Sequence, residues 1–92
     1  MNNTFNKNDI VIGGEYKHIY GGRYRVDDIK LDATGYEEKG EVGYTVCYTQ
    51  LENGEKFPAG TKWHRLLQDF LGYVKIEGEI KKKFELIMNS KK

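Results

Sequence analysis

Residues 14–26 read Gly-Glu-Tyr-Lys-His-Ile-Tyr-Gly-Gly-Arg-Tyr-Arg-Val, and this stretch decides the fold. Its two halves are rich in aromatic and β-branched residues and flank the glycines at 21–22, a pattern that predicts a β-hairpin. A two-residue loop would pair Ile19 with Tyr24 and give an exposed aromatic and basic face. A three-residue loop would pair Tyr20 with Tyr24 and place both rings in the core. We favour the second register, because a small barrel needs these large side chains inside.

The rest of the chain predicts further short strands and one helical turn. Apolar and polar residues alternate over 42–51 and 61–66, which predicts two strands, and a last strand is expected over 83–88. Residues 66–71 have apolar side chains at helical spacing before Gly72, so one helical turn is expected there. The polar stretch 32–41 is expected to be a loop. The fold class is therefore mostly β, a small SH3-like β-barrel of about five short strands with one short helical turn before the last strand.

Length, charge and cysteine content limit the organisation and the class of function. The 92 residues predict one domain over 10–88, with flexible tails at 1–9 and 89–92. The net charge of +1 provides no general attraction for nucleic acid or an anionic membrane. No signal peptide or membrane-spanning run is visible, and the single cysteine fits a reducing cytoplasm. One cysteine and two histidines do not predict a structural metal site, and no cofactor is expected.

The candidate ligand-binding residues are aromatic or basic: Tyr16, His18, Arg25, Trp63 and Arg65. Arginine forms paired hydrogen bonds with carboxylates and phosphates, and tryptophan and arginine dominate binding hot spots. Each residue also has a structural explanation, His18 as a hydrogen-bonded strand residue and Trp63 as a core anchor. Because no catalytic constellation is visible, we expect a non-enzymatic binding module. Its partner would be a protein, a peptide or a small anionic ligand, and the module would be a monomer or a homodimer.

Two other functions stay open. Arg23, Arg25 and Arg65 would suit a nucleotide or nucleic-acid binder, including one that sequesters nucleotides. Such a protein would stack bases on tyrosines, the candidates being Tyr16, Tyr20, Tyr24, Tyr44 and Tyr48. A small enzyme would use His18 or His64, with or without Cys47. A cysteine in the middle of a strand is usually buried and inert, which weighs against the enzyme.

An ordered set of residues also suggests a family. The set is Gly14, Tyr16, His18, Tyr20, Gly21, Gly22, Tyr24, Val26, Val46, Cys47, Tyr48, Trp63, Arg65 and Phe70. It follows the order Gly-x-Tyr-x-His, a glycine-rich turn, Tyr-x-Val, a short apolar strand, Trp-x-Arg and a turn containing Phe. In this order the chain resembles a small bacterial family known as domain of unknown function 1653. The resemblance implies a small β fold, and it brings no known activity, cofactor or catalytic residue.

Overall fold

The computed structural model describes residues 6–34, 36–40 and 42–89. Within these residues seven strands and two helical turns follow a 3-10 turn at Lys7–Asp9. In chain order they are β1 (Gly14–His18), β2 (Arg23–Asp32), α1 (Tyr36–Lys39), β3 (Gly43–Gln50), β4 (Lys62–Leu66), α2 (Leu67–Phe70), β5 (Tyr73–Ile76), β6 (Glu79–Lys82) and β7 (Phe84–Asn89). The prediction of a mostly β fold is confirmed.

Five of the strands form one antiparallel sheet, in the order β4-β3-β2-β1-β7, while β5 and β6 form a separate hairpin. Strands β1 to β4 follow one another as direct neighbours, as short connections favour. After α2 and the β5–β6 hairpin, β7 returns to the far side of the sheet and pairs with β1. Strands β4 and β7 are therefore the two edges, and no backbone ladder joins them within the described residues.

The first hairpin is present, but neither predicted register is correct. Strand β1 pairs with β2 so that Tyr16 lies opposite Tyr24. The backbone N–H of His18 donates to the Gly22 carbonyl at 3.1 Å, which leaves residues 19–21 as the loop. Gly21 and Gly22 have φ angles of 113° and 94°, which glycine adopts without steric cost. A Cβ atom on Gly22 would also lie 2.9 Å from the Tyr24 hydroxyl oxygen. The loop thus lies two residues earlier in the chain than the favoured register placed it, and Gly22 leaves room for the Tyr24 ring.

This register separates the hairpin side chains in a way that the sequence did not indicate. Tyr16 and Val26 are buried, and Tyr24 packs against the core. Tyr20, which the favoured register would have buried, lies in the loop with 72% of its surface exposed. The prediction for Tyr20 is therefore wrong, whereas Tyr24 and Val26 do face the core.

The core lies on the inner face of the sheet, beneath α2. Val26 from β2 and Phe70 from α2 are fully buried. The Phe70 and Phe84 rings stack in parallel with centroids 4.1 Å apart, and Tyr16 and Tyr48 meet Phe70 edge-on. Each such ring pair adds about 0.5–1.5 kcal/mol beyond its burial of apolar area. Aromatic rings from four elements therefore fix α2 and β7 against the sheet.

Local predictions outside the hairpin agree with the structure, with two exceptions. The described residues form seven strands rather than about five, because the hairpin of β5 and β6 separates α2 from the last strand. Strands β3, β4 and β7 and the turn α2 lie where alternation and spacing predicted them. The expected loop over 32–41 instead contains the helical turn α1, and positions 35 and 41 lie outside the described residues. Most of the predicted tails, at 1–5 and 90–92, also lie outside them. Within the described residues, no helix has the length and apolar character needed to cross a membrane.

Candidate ligand-binding pocket

A cavity of about 160 Å³ opens at the end of the sheet where the two edge strands, β4 and β7, approach each other. All five strands of the sheet contribute to its lining, which consists of His18, Tyr24, Tyr48, Trp63, Arg65 and Phe84. We refer to this cavity as the aromatic pocket. Its walls are ring systems, and Arg65 is the one lining side chain with a permanent charge.

The rings of the aromatic pocket hold one another in place. Phe84 meets the rings of His18, Tyr48 and Tyr24 edge-on, with centroid distances of 4.7, 5.7 and 6.0 Å. Tyr24 and Tyr48 are also in edge-on contact, at 5.3 Å. Edge-on contact suits the charge distribution of aromatic rings, since a positive edge meets a negative face. The pocket is therefore built before any ligand arrives.

Trp63 is fixed by a buried glutamine. Its indole N–H donates a hydrogen bond of 3.0 Å to the side-chain oxygen of Gln50, and Phe57 packs edge-on against its ring at 4.9 Å. The Gln50 amide nitrogen donates to the carbonyl oxygens of Glu52 and Phe57, at 2.9 and 2.7 Å. Gln50 thus ties the 51–61 connection to the indole and sets the orientation of Trp63.

Arg65 presents its guanidinium group to the pocket from a network of contacts. Its Nε donates to the Tyr48 hydroxyl at 3.0 Å, and its Nη1 donates to the Asp69 carboxylate at 2.6 Å. The guanidinium carbon lies 5.2 Å from the centre of the Phe84 ring, a distance typical of cation–π contact. Among the described residues Nη2 has no hydrogen-bond partner. The Arg65 side chain is therefore held in position, and its Nη2 group stays free to donate hydrogen bonds.

The charges around Arg65 leave a positive excess. Asp69 accepts from Lys83 as well as from Arg65, so one carboxylate is shared by two cations. The hydrogen bond from Lys83, and then that from Arg65, hold the pKa of Asp69 below its ordinary value. Burial raises the pKa of Tyr48 against the opposing effect of Arg65, so this hydroxyl stays protonated. The network carries two positive charges and one negative charge on one wall of the pocket.

His18 is a neutral hydrogen-bond donor in the pocket. Its Nδ1 accepts the backbone N–H of Tyr20 at 3.1 Å, so the proton of the neutral ring lies on Nε2. Burial lowers the pKa of His18, and the positive charges of Arg65 and Lys83 lower it further. Within the described residues Nε2 has no partner, and it offers its N–H to a ligand.

Three of the five predicted ligand residues, His18, Trp63 and Arg65, lie together in the aromatic pocket. Tyr16 does not join them. It is buried in the core, where its hydroxyl oxygen accepts the backbone N–H of Val11 at 3.0 Å. Burial raises the pKa of Tyr16.

Arg25, the fifth predicted residue, lies on the opposite face of the sheet with Arg23. The Arg25 guanidinium donates to Asp27 at 3.0 Å. Arg23 contacts Glu15 at 3.0 Å and Glu52 at 2.9 Å. Both arginines are thus neutralised on the outer face, and the three arginines that suggested a nucleotide site do not come together.

The five tyrosines proposed as a stacking platform are also dispersed. Tyr24 and Tyr48 line the aromatic pocket, and Tyr16 lies in the core beside them. Tyr20 projects into solvent from the hairpin loop, and Tyr44 lines a separate cleft at the other end of the sheet. No single surface therefore offers all five rings to a run of bases.

The two histidines lie on different faces. His64 is exposed on the outer face of β4, opposite the half-buried Cys47 of β3, whereas His18 lies in the pocket. In the part of the chain that the structure describes, no group of three or more His, Cys, Asp or Glu side chains could hold a metal ion. The predicted residues do not assemble into one catalytic group.

Sequence reasoning gave no binding role to several residues that complete the pocket, namely Gln50, Asp69, Lys83 and Phe84. No local sequence pattern marks Gln50 and Phe84 as site residues, because only the tertiary fold brings them close to the other pocket residues. The spacing of Arg65 and Asp69, four residues apart at a helical turn, is typical of an ion pair and was the one readable signal.

Comparisons with known proteins do not indicate a function, so the function is inferred from the geometry of the pocket. A scan against protein-family models gives no match, and neither a search of curated proteins nor a search of solved structures gives one.

Proposed function

We propose that this protein is a non-enzymatic binding module that recognises an anionic group of a protein, peptide or small molecule in the aromatic pocket. One observation carries the proposal: a fixed guanidinium group with free donor capacity stands in a pocket of aromatic rings. Hydrogen bonds from arginine to a carboxylate or a phosphate are among the strongest that proteins make.

The charge of the pocket favours an anion over a cation. The Phe84 ring, one of the surfaces that would attract a cationic ligand, is already in contact with Arg65. Lys83 adds a second positive charge, and Asp69 neutralises one of the two. His18 contributes a further donor. A ligand with hydrogen-bond acceptors and a negative charge satisfies these groups, whereas an ammonium group would be repelled.

The size of the pocket argues against a whole nucleotide. Its volume of about 160 Å³ is close to that of a cavity that admits benzene, roughly 150 Å³. Ordinary small-molecule sites measure about 300–1,000 Å³. The pocket thus suits one small group, and the nucleotide alternative gains no support from the placement of Arg23 and Arg25 on the other face.

We propose an SH3-like barrel as the scaffold. Its support is the connectivity, in which four successive strands are followed by a helical turn, the β5–β6 hairpin and a final strand that returns to pair with β1. The contact of Arg65 with Phe84 bridges the gap between the edge strands. Kinship with domain of unknown function 1653, a bacterial origin and a cytoplasmic location, suggested by the unpaired Cys47, belong to the same proposal.

The test uses phenylacetate and the uncharged phenylacetamide as probes, titrated into ¹⁵N-labelled protein at low ionic strength. We expect phenylacetate to shift the indole N–H resonance of Trp63 and to bind at least about tenfold more tightly than phenylacetamide. The reason is that a hydrogen bond to a charged group contributes about 1.5–3 kcal/mol. Failure of phenylacetate, sulfate and phosphate alike to move this resonance would refute the proposed function.

Two arginine variants provide the matched comparison. Arg65→Gln removes the charge at the pocket and should abolish the preference for phenylacetate. Arg25→Gln removes a charge of the same type from the outer face, where Arg25 contacts Asp27, and should leave the preference unchanged. Equal losses in both variants would mean that the probes respond to overall charge rather than to the pocket.

A further inference from the structure

We infer that the occupant of the aromatic pocket is the C-terminal residue of a peptide, with its free α-carboxylate at Arg65 and His18 and an apolar side chain among the rings. The inference rests on the proposed function and adds the class of partner. It follows from the two halves of the pocket, from the charge of the Arg65 network and from the unpaired edge beside it.

The pocket combines apolar walls with two side chains that keep free donors. Tyr24, Tyr48 and Phe84 supply the rings, and the free donors are Nη2 of Arg65 and Nε2 of His18. A ligand that fills a space of about 160 Å³ must therefore carry an apolar group and a set of acceptors close together. The last residue of a peptide has both, since its side chain and its carboxylate share one Cα atom.

The charge of the network fits a carboxylate better than a phosphate. Arg65 and Lys83 together carry two positive charges, and Asp69 returns one negative charge. The excess of one positive charge equals the single negative charge of a carboxylate. A phosphate monoester would bring about two negative charges next to Asp69. The planar fork of a guanidinium also matches the two oxygens of a carboxylate.

A peptide is favoured over a free small acid because a backbone edge lies beside the pocket. Among the described residues β4 pairs only with β3. The backbone N–H of Gln50 donates to the Thr61 carbonyl at 2.8 Å, which fixes the alternation of the ladder. By this alternation, the residues of β4 that turn their backbone groups away from β3 are Lys62, His64 and Leu66.

An extended peptide can add to this edge as a further strand. Main-chain hydrogen bonds then supply affinity, and side chains on alternate positions supply specificity. Trp63 and Arg65 of β4 direct their side chains into the pocket, so a peptide beside them places alternate side chains on the same face. A group that fills only the pocket has few atoms with which to bind, and the edge provides the remaining contacts.

The experiment compares the peptides N-acetyl-Thr-Val-Thr-X, in which X is Phe, Tyr, Leu or Ile, with their C-terminal amides and with N-acetyl-phenylalanine. Binding is measured by calorimetry and by the shift of the Trp63 indole N–H. We expect at least one free acid to bind ten times or more tightly than its amide. The same acid should bind ten times or more tightly than N-acetyl-phenylalanine, because the single residue lacks the edge contacts.

The outcomes separate this inference from the proposed function. Equal binding of acids and amides, or no binding of any acid, overturns the inference, and the proposed function stands if phenylacetate still shifts Trp63. Equal binding of N-acetyl-phenylalanine and the peptide acids also overturns it, because the ligand is then a free small acid. If phenylacetate, sulfate and phosphate fail as well, both are wrong.

An arginine variant adds a readout that loss of folding cannot imitate. In Arg65→Gln the affinity of the best peptide acid should fall at least tenfold, to that of its amide, while the affinity of the amide stays the same. A parallel fall for acid and amide overturns the role of Arg65 as the carboxylate partner. Arg25→Gln is the control, and it should preserve the difference between acid and amide. The comparison of acid with amide needs no variant, so the inference stays testable if Arg65→Gln does not fold.

Discussion

The inner face of β2 meets two different cavities at its two ends. At its start Tyr24 lines the aromatic pocket of about 160 Å³, and at its end Ile29 and Leu31 line a cleft of about 400 Å³. The other residues of this second cleft, here termed the aliphatic cleft, are Lys7, Asn8, Ile10, Ile12, Asp28 and Tyr44. The larger cavity offers more room, but it has fewer fixed groups.

The difference lies in how the side chains are held. In the aromatic pocket Arg65 has three partners and Trp63 has two, so their positions are set before binding. In the aliphatic cleft Ile12 and Leu31 are 48% and 65% exposed, and Lys7 reaches the Tyr44 ring only at 5.9 Å. Recognition of a specific ligand requires polar groups that are held in place by their neighbours, and a large cavity volume does not provide such groups.

The largest effect is expected at Phe84, which belongs to the core and to the pocket. Phe84→Ala removes a buried ring stacked on Phe70 and should lower the free energy of unfolding by about 3–5 kcal/mol. Leu31→Ala in the aliphatic cleft should change it by no more than about 0.5 kcal/mol, because that side chain is mostly exposed. Urea denaturation measures both. Similar losses at the two positions would mean that the two ends of the sheet are equally well packed.

A smaller effect is expected at Gln50. Gln50→Ala leaves the Trp63 indole N–H and the carbonyls of Glu52 and Phe57 without their partner. Unsatisfied buried polar groups cost about 1–3 kcal/mol, and the indole should become more mobile. Denaturation and the fluorescence anisotropy of Trp63 report the two consequences. The exposed Gln68→Ala is the control, and a loss there as large as at Gln50 would contradict the assigned role.

The smallest effect concerns pH. The pKa of His18 lies below its ordinary value of 6.5 because of burial and of the charges of Arg65 and Lys83. Between the folded pKa and 6.5 the unfolded chain binds more protons at this site than the folded chain. The free energy of unfolding should therefore decrease as the pH falls below 6.5.

Denaturation between pH 7.5 and 5 tests this dependence, and His18→Gln should weaken it. His64→Gln is the matched control, because it removes the histidine on the outer face. Persistence of the full dependence in His18→Gln, or its loss in His64→Gln, would assign it to another group. Asp69 does not interfere in this range, because its pKa lies below its ordinary value of 3.8.

Local sequence patterns predicted most elements but not the way in which they meet. Alternation identified β3 and β4, and apolar spacing identified α2, because these signals depend only on near neighbours. The hairpin register failed because a distant residue decides it. The backbone N–H of Ile19 donates to the Lys83 carbonyl at 2.8 Å, a contact that holds the first loop residue beside the start of β7.

The candidate site shows the same limit. Residue type identified His18, Trp63 and Arg65, since these side chains are common at binding sites. It also proposed Tyr16, which lies on the inner face but is buried in the core, and Arg25, which lies on the outer face of its strand. The face follows from register, and register depends on tertiary contacts. Phe84 was not recognised as a pocket residue because nothing in the sequence around it indicates that its ring lines a pocket.

The bridge between the edge strands has a consequence for motion. Arg65 joins β4 to β7 through its contact with Phe84, and to α2 through Asp69, where a continuous barrel would have a backbone ladder. Within the described residues, separating the two edges therefore breaks side-chain contacts but no backbone hydrogen bonds between β4 and β7. Such an opening is inexpensive compared with unfolding, and salt weakens an ion pair of this exposure. Ionic strength should therefore regulate how often the wall beside the pocket opens, and hydrogen exchange of the Arg65 side-chain N–H groups that Tyr48 and Asp69 accept should follow it.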